Sequence, residues 1–296
     1  MRTAKTVACL FALAWAAPAF ADEALLGYLR GAEVLPKGTS ELYTKWTSLR
    51  DKGMGSYQAY DGTLDYEYGV TDKFSAVAGL EMLSIDSKGL LIEAYVPKDR
   101  NLSLRPSGFT VAGKYNFLQP ALAPIGLAAR VEMGYGWIDK FSGQRKDTLW
   151  TRLDLLAQKY FLDGRVSWIS NLGMEAAYAY RAAVKGIPEG FDWPVNAEME
   201  IELLLGTGVS YRFAPNWSAG VEALYETEFE TQVNQERWSF MAGPTLHYGG
   251  KKWWATFTYL PQWRGGGLKY AGQTNTRLHL IEKTKHEARL WVGLNF

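Results

Sequence analysis

The sequence predicts an all-β protein: a single transmembrane antiparallel up-and-down β-barrel of about twelve strands, preceded by a cleaved leader. Three observations predict it. The chain of 296 residues is rich in aromatics and glycine, with 12 Trp, 17 Tyr and 30 Gly. Beyond its first residues it lacks any apolar stretch near the ~18 residues of a spanning helix. Segment after segment alternates apolar and polar positions with aromatics at the ends, the period of a strand that faces lipid on one side and a lumen on the other.

The N-terminus carries Arg2 and Lys5, an apolar run over 7–17 and then Ala19-Phe20-Ala21. Those features predict a secretory signal peptide, residues 1–21, cut after Ala21. The apolar run is too short to anchor the chain as a helix. Cys9, the sole cysteine, leaves with the leader, which removes disulfide and thiolate chemistry from the mature chain. Two of the 32 basic residues leave as well, so the mature chain nearly balances its 31 acidic ones and shows no nucleic-acid-like basic excess.

Residues 22–40, with Pro36 and Gly38, precede the barrel as a short periplasmic segment or a plug; the barrel itself spans 41–296. The first strand, over 41–50, is the least regular, since Tyr43 and Trp46 fall on opposite faces. The lipid faces then follow in order. They are Leu64, Tyr66, Tyr68, Val70; Phe74, Ala76, Leu80, Met82; Phe109, Val111, Tyr115, Phe117; and Ile125, Leu127, Val131, Met133, Tyr135, Trp137. Next come Leu149, Leu153, Leu155; Val166, Trp168, Leu172, Met174, Tyr178; Ile201, Leu203, Leu205, Val209, Tyr211; and Trp217, Ala219, Val221, Ala223, Tyr225. The last three are Trp238, Phe240, Ala242, Leu246, Tyr248; Trp253, Ala255, Phe257, Tyr259; and Ala288, Leu290, Val292, Leu294, Phe296.

Between them, short turns at 71–73, 119–124, 162–164, 214–216 and 249–251 alternate with mostly longer loops at 51–56, 87–107, 140–147, 182–197, 232–235 and 265–283. That asymmetry, with an even strand number, places both termini in the periplasm and the long loops outside the cell.

The terminal run Arg289-Leu290-Trp291-Val292-Gly293-Leu294-Asn295-Phe296 resembles the assembly signal of bacterial outer-membrane proteins, a strand closing on a C-terminal aromatic. Three further stretches are Leu35-Pro36-Lys37-Gly38 leading to Glu41, Glu67 to Phe74, and Gly208 to Trp217. They resemble the strand-turn phrases of uncharacterised proteobacterial porin-like families, domain-of-unknown-function barrels and the transporters grouped with phenol-degradation pathways. The resemblance implies the outer-membrane bilayer and the barrel-assembly machinery as partners, and carries over no site residue.

If the apolar face meets lipid, the alternate residues line the lumen, and they are charged. Arg130, Glu132, Arg152 and Asp154 lie on consecutive strands, as a self-pairing network or as solute contacts; Glu200, Glu202, Glu222, Glu226 and Glu228 follow. A register in which Phe213 pairs with Trp217 sets Glu202 against Glu228 and Glu200 against Glu230. Like charges so opposed require a cation between them. Arg237 or Arg181, a bound Ca²⁺, or a transiting cationic solute would each serve. The acidic surplus argues against acidic sugars or phosphate and for a small neutral, cationic or aromatic solute.

Enzymatic chemistry has little to stand on. Of the three histidines, alternation puts His247 in the lumen, His279 in the last loop and His286 at the start of the last strand, none beside a recognisable nucleophile. The sequence calls for neither cofactor nor metal. A porin-like channel is the expectation; a closed structural barrel, or one binding a partner through loops such as 182–197 with Phe191 and Trp193, is the alternative, and an outer-membrane lipid-modifying enzyme the more distant one.

Overall fold

The computed structural model describes residues 24–91, 99–183, 196–230, 235–270 and 272–296. The leader and the Phe191–Trp193 stretch of the loop expected over 182–197 lie outside the described residues. Twelve strands form one closed barrel in which each pairs antiparallel with its chain neighbours and β1 closes on β12. They are β1 Ser40–Arg50, β2 Met54–Thr71, β3 Phe74–Leu91, β4 Arg100–Leu118, β5 Gly126–Ile138, β6 Arg145–Phe161, β7 Val166–Arg181, β8 Glu198–Ala214, β9 Trp217–Glu230, β10 Gln235–Gly249, β11 Trp253–Gly267 and β12 His286–Asn295.

Closure satisfies every edge, the condition for a sheet in lipid. The seam is sealed at the chain terminus, where the Phe296 N–H donates to the Ser40 carbonyl at 2.9 Å and the Ser40 N–H donates back at 3.3 Å.

The faces follow the alternation. Leu64, Phe109, Val131, Leu153, Leu172, Leu205, Val221, Phe257 and Leu290 are exposed on the outer wall. Aromatic girdles ring that wall. Near the short turns Trp217 meets Tyr248 at 5.0 Å and Tyr248 meets Trp253 at 4.5 Å; nearer the loops Tyr225 stacks on Trp238 at 5.9 Å. β1 resolves its own ambiguity: Tyr43 faces inward and is buried, while Trp46 lies outside against Gly62.

The strands are longer than the alternation suggested. β2, β3 and β4 run to 18, 18 and 19 residues, against the ~9–11 that cross a bilayer. The loops expected over 51–56 and 87–107 therefore shrink to residues 51–53 and 92–99. A ladder of backbone hydrogen bonds continues past the lipid boundary, where no apolar face marks it in sequence.

The expected β8–β9 register holds where the carboxylates are, with Glu202 opposite Glu228 and Glu200 opposite Glu230. At the turn it slips: Ala214, not Phe213, pairs with Trp217, and the shift falls between Arg212 and Ala214. A bulge beside Pro215 absorbs the extra residue.

Candidate functional site: a lumen sealed at both ends

Residues 24–35 do not lie below the barrel. They run inside it, filling the lumen at the short-turn end. Irregular backbone inside a barrel needs a partner for each polar group, and lumen side chains supply them. Glu222 accepts from the backbone N–H of both Gly27 and Tyr28 at 2.8 Å, and also from Thr245 and Thr258 at 2.8 Å. Asn171 accepts from the Arg30 N–H at 2.8 Å and donates to its carbonyl at 2.9 Å, as a neighbouring strand would. Gln158 accepts from Ala32 at 2.7 Å, Asn116 donates to the Ala32 carbonyl at 2.6 Å, and Thr256 donates to the Ala24 carbonyl.

Packing completes this plug. Leu26 and Leu29 are fully buried against Ile169, Leu224, Met241 and Leu260. They sit over lumen-facing glycines: a Cβ on Gly206 would meet Leu29 at 2.3 Å, and one on Gly208 would meet Leu26 at 2.6 Å. The inward-facing apolar residues, out of phase with the lipid face, were the signal in the sequence that something packs there.

The opposite end is closed by the connection 268–285, folded into the barrel mouth. Tyr270, Leu280 and Ile281 pack with Tyr57, Ala59, Leu83 and Ile85. Gln262 clasps the loop, accepting from the His279 N–H at 2.7 Å and donating to the His279 and Thr284 carbonyls at 2.9 and 3.1 Å. Gly53 donates to the Leu280 carbonyl at 2.9 Å, and residues 139–144 lean in beside it, Tyr57 donating to the Lys140 carbonyl at 3.0 Å.

Between the seals lie two adjoining chambers. The one nearer the loops holds about 200 Å³ and is acidic: Asp61, Glu81, Asp139, Glu175, Glu200, Glu202, Glu228 and Glu282 line it against Lys140 and Lys146. The one nearer the plug holds about 210 Å³ and carries Arg30, Lys45, Arg130, Arg152 and Arg289 with Asp65, Glu132 and Asp154. Glu81, Lys140, Trp150 and Glu175 line both.

Each expected site residue faces this lumen, but most are engaged by other protein groups. Arg130 meets Glu132 at 2.5 Å and Asp154 at 3.9 Å, and Arg152 meets Asp154 at 2.8 Å, so these four are the self-pairing network. Glu222 holds the plug and lines neither chamber. Glu226 is bound by Lys283 of the sealing loop. The cation demanded by the opposed glutamates is Arg237, which reaches Glu228 at 3.3 Å, Glu236 at 2.5 Å and Glu282 at 3.2 Å. Arg181 pairs with Glu198 instead. Glu282, Lys283 and Lys140 come from loops, whose positions no alternation could place.

The histidines are absorbed by structure. His247 is buried with Nδ1 2.7 Å from the Thr256 hydroxyl, and His286 contacts the Tyr259 hydroxyl at 2.8 Å on the outer wall.

His279 is the group through which the loop seal is expected to respond to pH. Burial holds its imidazole down to about 3, with Arg237, Lys283 and Lys52 pushing the same way against Glu282. Burial likewise lowers the Lys52 ammonium to about 7. Glu282 is held well below the usual carboxylate range: burial opposes its charge, but Arg237, Lys146 and His279 outweigh it.

An imidazole depressed in the folded state protonates first in the released loop, so stability is lost as pH falls through 6.5 towards 3. Glu282 adds loss in the same direction. Hydrogen exchange of the 268–285 amides, corrected for intrinsic rate, should therefore rise between pH 7 and pH 4, and rise less in His279→Asn. An identical profile in the variant would remove His279 from the seal.

Comparison with solved structures places the fold. The COG4313 outer membrane channel from Pseudomonas putida F1 is similar over 90% of this chain and 98% of its own, with TM-score 0.59 and 13% identity. The KdgM porin, solved in complex with disordered oligogalacturonate, matches 86% of this chain and 99% of its own with TM-score 0.44 and 10% identity. The NanC porin matches 86% and 100% with TM-score 0.44 and 12% identity. No curated protein matches the sequence. The fold shared with the first of these is that of an outer-membrane β-barrel, and the sequence itself, matched over residues 18–296 by the profile of a family of unknown function, DUF6662, belongs to that family.

Proposed function

We propose that the protein is an outer-membrane channel for small solutes, held in its sealed state by the N-terminal plug and the 268–285 loop. The observation that carries this reading is the charged interior: two adjoining chambers lie on the barrel axis between two seals that are made of loop and segment, not of barrel wall. A barrel stabilised only as a scaffold would gain more from apolar filling than from rows of charge. In this reading residues 1–21 are removed on export, both termini face the periplasm, and Phe296 presents the strand by which the assembly machinery inserts the barrel. The lumen works by binding and passage, without catalysis.

The acidic chamber is the entrance from the loop side, and it favours neutral and cationic groups. Glu200 and Glu202 are its best handles because, unlike Glu226 and Glu228, no ion pair among the described residues neutralises them. In planar bilayers the purified protein should conduct once its seals are released, and its reversal potential in a salt gradient should report cation preference. The double substitution Glu200→Gln, Glu202→Gln should reduce the cation-to-anion permeability ratio by about twofold or more, the effect of losing fixed charge in a focused field. A channel with unchanged selectivity would clear these residues of the role, and absence of conductance under all conditions that release the seals would remove the channel reading.

A further inference from the structure

We infer that the chamber next to the plug is a binding site for a small zwitterion of the amino-acid type, its carboxylate held by Arg30, Lys45 and Trp291 and its ammonium by Glu81 and Glu175. The inference rests on the channel reading above and names the class of its solute.

The carboxylate side is set by β1 and β12. Lys45 lies opposite Trp291 in the β1–β12 register, and its ammonium sits 5.7 Å from the Trp291 ring centroid. The Arg30 guanidinium, brought in by the plug, sits 5.1 Å from the same ring. Among the described residues neither cation makes an ion pair. Arg289, one step along the same face, spends its Nε on the Thr47 hydroxyl at 2.8 Å and adds a third positive charge. Two basic groups drawn to one ring repel each other unless an anion joins them.

The ring itself points to what that anion is. Trp291 is 4% exposed and lines the chamber, yet its Nε1–H has no hydrogen-bond partner. A buried indole N–H ordinarily finds an acceptor, and a carboxylate oxygen between two cations is the acceptor such a place selects.

The opposite sign lines the same space. Glu81 and Glu175 border both chambers, and among the described residues neither forms an ion pair. A bare anion would have to cross the acidic chamber to reach Arg30 and Lys45, and a bare cation would meet three basic groups on arrival. A solute with both charges and no net charge satisfies each chamber in turn, and about 210 Å³ accommodates one of amino-acid size.

Three probes separate the possibilities on the intact protein in detergent: L-valine, its methyl ester, which keeps only the positive charge, and N-acetyl-L-valine, which keeps only the negative. Titration calorimetry with tryptophan fluorescence should show L-valine binding at least tenfold more tightly than either derivative. Lys45→Gln should weaken L-valine and N-acetyl-L-valine by about tenfold, as expected for loss of one desolvated charge contact, and leave the ester unchanged. Equal or tighter binding of N-acetyl-L-valine would make the chamber a simple anion site and overturn the inference. Equal binding of the ester would overturn it in favour of the acidic chamber alone, and absence of saturable binding by all three would remove the site. Conductance without L-valine binding would leave the channel reading standing, while binding without conductance would leave the site and remove the channel.

Discussion

Once the 268–285 seal has been released, removal of residues 24–35 should raise the single-channel conductance of the barrel several-fold or more over the same barrel with the segment present. The segment fills the lumen at the short-turn end, and a pore's conductance is set by its narrowest point. The barrel wall does not depend on the segment for closure, because β1 begins at Ser40 and pairs with both β2 and β12 through its own backbone. What deletion costs is the apolar burial of Leu26 and Leu29 and the hydrogen bonds of Glu222, Asn171 and Gln158, groups that water in the opened lumen can serve in turn.

A finer variant guards against misfolding. Gly206→Ala places a Cβ where Leu29 now lies, 2.3 Å from its terminal methyl and 2.8 Å from that of Leu224, both ends of flexible side chains, and meets no backbone atom of the wall at that range. With the 268–285 seal released, both routes should raise conductance over the parent barrel treated in the same way. If conductance matches the parent protein in each, the plug is not the barrier.

Replacement of Arg237 should have the largest effect on stability. Its guanidinium joins Glu228, Glu236 and Glu282 at 3.3, 2.5 and 3.2 Å, tying β9 and β10 to the sealing loop. Arg237→Gln removes the guanidinium that pairs with Glu228, Glu236 and Glu282, and removing one partner of such a buried group costs about 3–5 kcal/mol. The loss should appear as a lower denaturant midpoint and as faster exchange of the 268–285 amides.

Two further signs identify the cause. The deficit relative to the parent should shrink as pH falls below the carboxylate range, since protonated glutamates no longer repel. Millimolar Ca²⁺ should also restore the variant more than the parent, because Glu200, Glu228 and Glu282 can bring oxygens within 4.8 Å of one another. A variant as stable as the parent at neutral pH would show that the cluster is neutralised by some other group.

The barrel wall was readable because lipid imposes a rule on every second residue. Leu203, Leu205, Val209 and Tyr211 can face only outward, and a one-residue slip would put Glu202 and Glu200 in the bilayer, so alternation determines strands and faces together. The charge conflict between Glu202 and Glu228 was also readable, since register follows from the turn to within the bulge at Ala214. Arg237 could be named as one candidate cation for the same reason: it lies on the next strand.

Residues outside the ladder obey no such period. Leu26, Leu29 and Tyr28 belong to a segment whose conformation is set by the groups it meets, Glu222 and Asn171 from distant strands, and nothing local in 24–35 specifies those partners. Glu282, Lys283 and His279 sit in a loop whose sequence is compatible with solvent as well as with the barrel mouth.

What the sequence by itself determined is therefore the class, the strand number, the two faces and the polar character of the lumen, all consequences of a period of two repeated against lipid. Only the tertiary structure decided that residues 24–35 and 268–285 pack into the two ends of the lumen, that Glu222 and Glu226 bind those segments, and that positive charge gathers beside the plug while acidic charge gathers near the loops. Those outcomes depend on which side chains meet across the interior from strands far apart in the chain; inward apolar residues such as Ile169, Leu224, Met241 and Leu260 mark in the sequence that something packs on them, but not which segment it is.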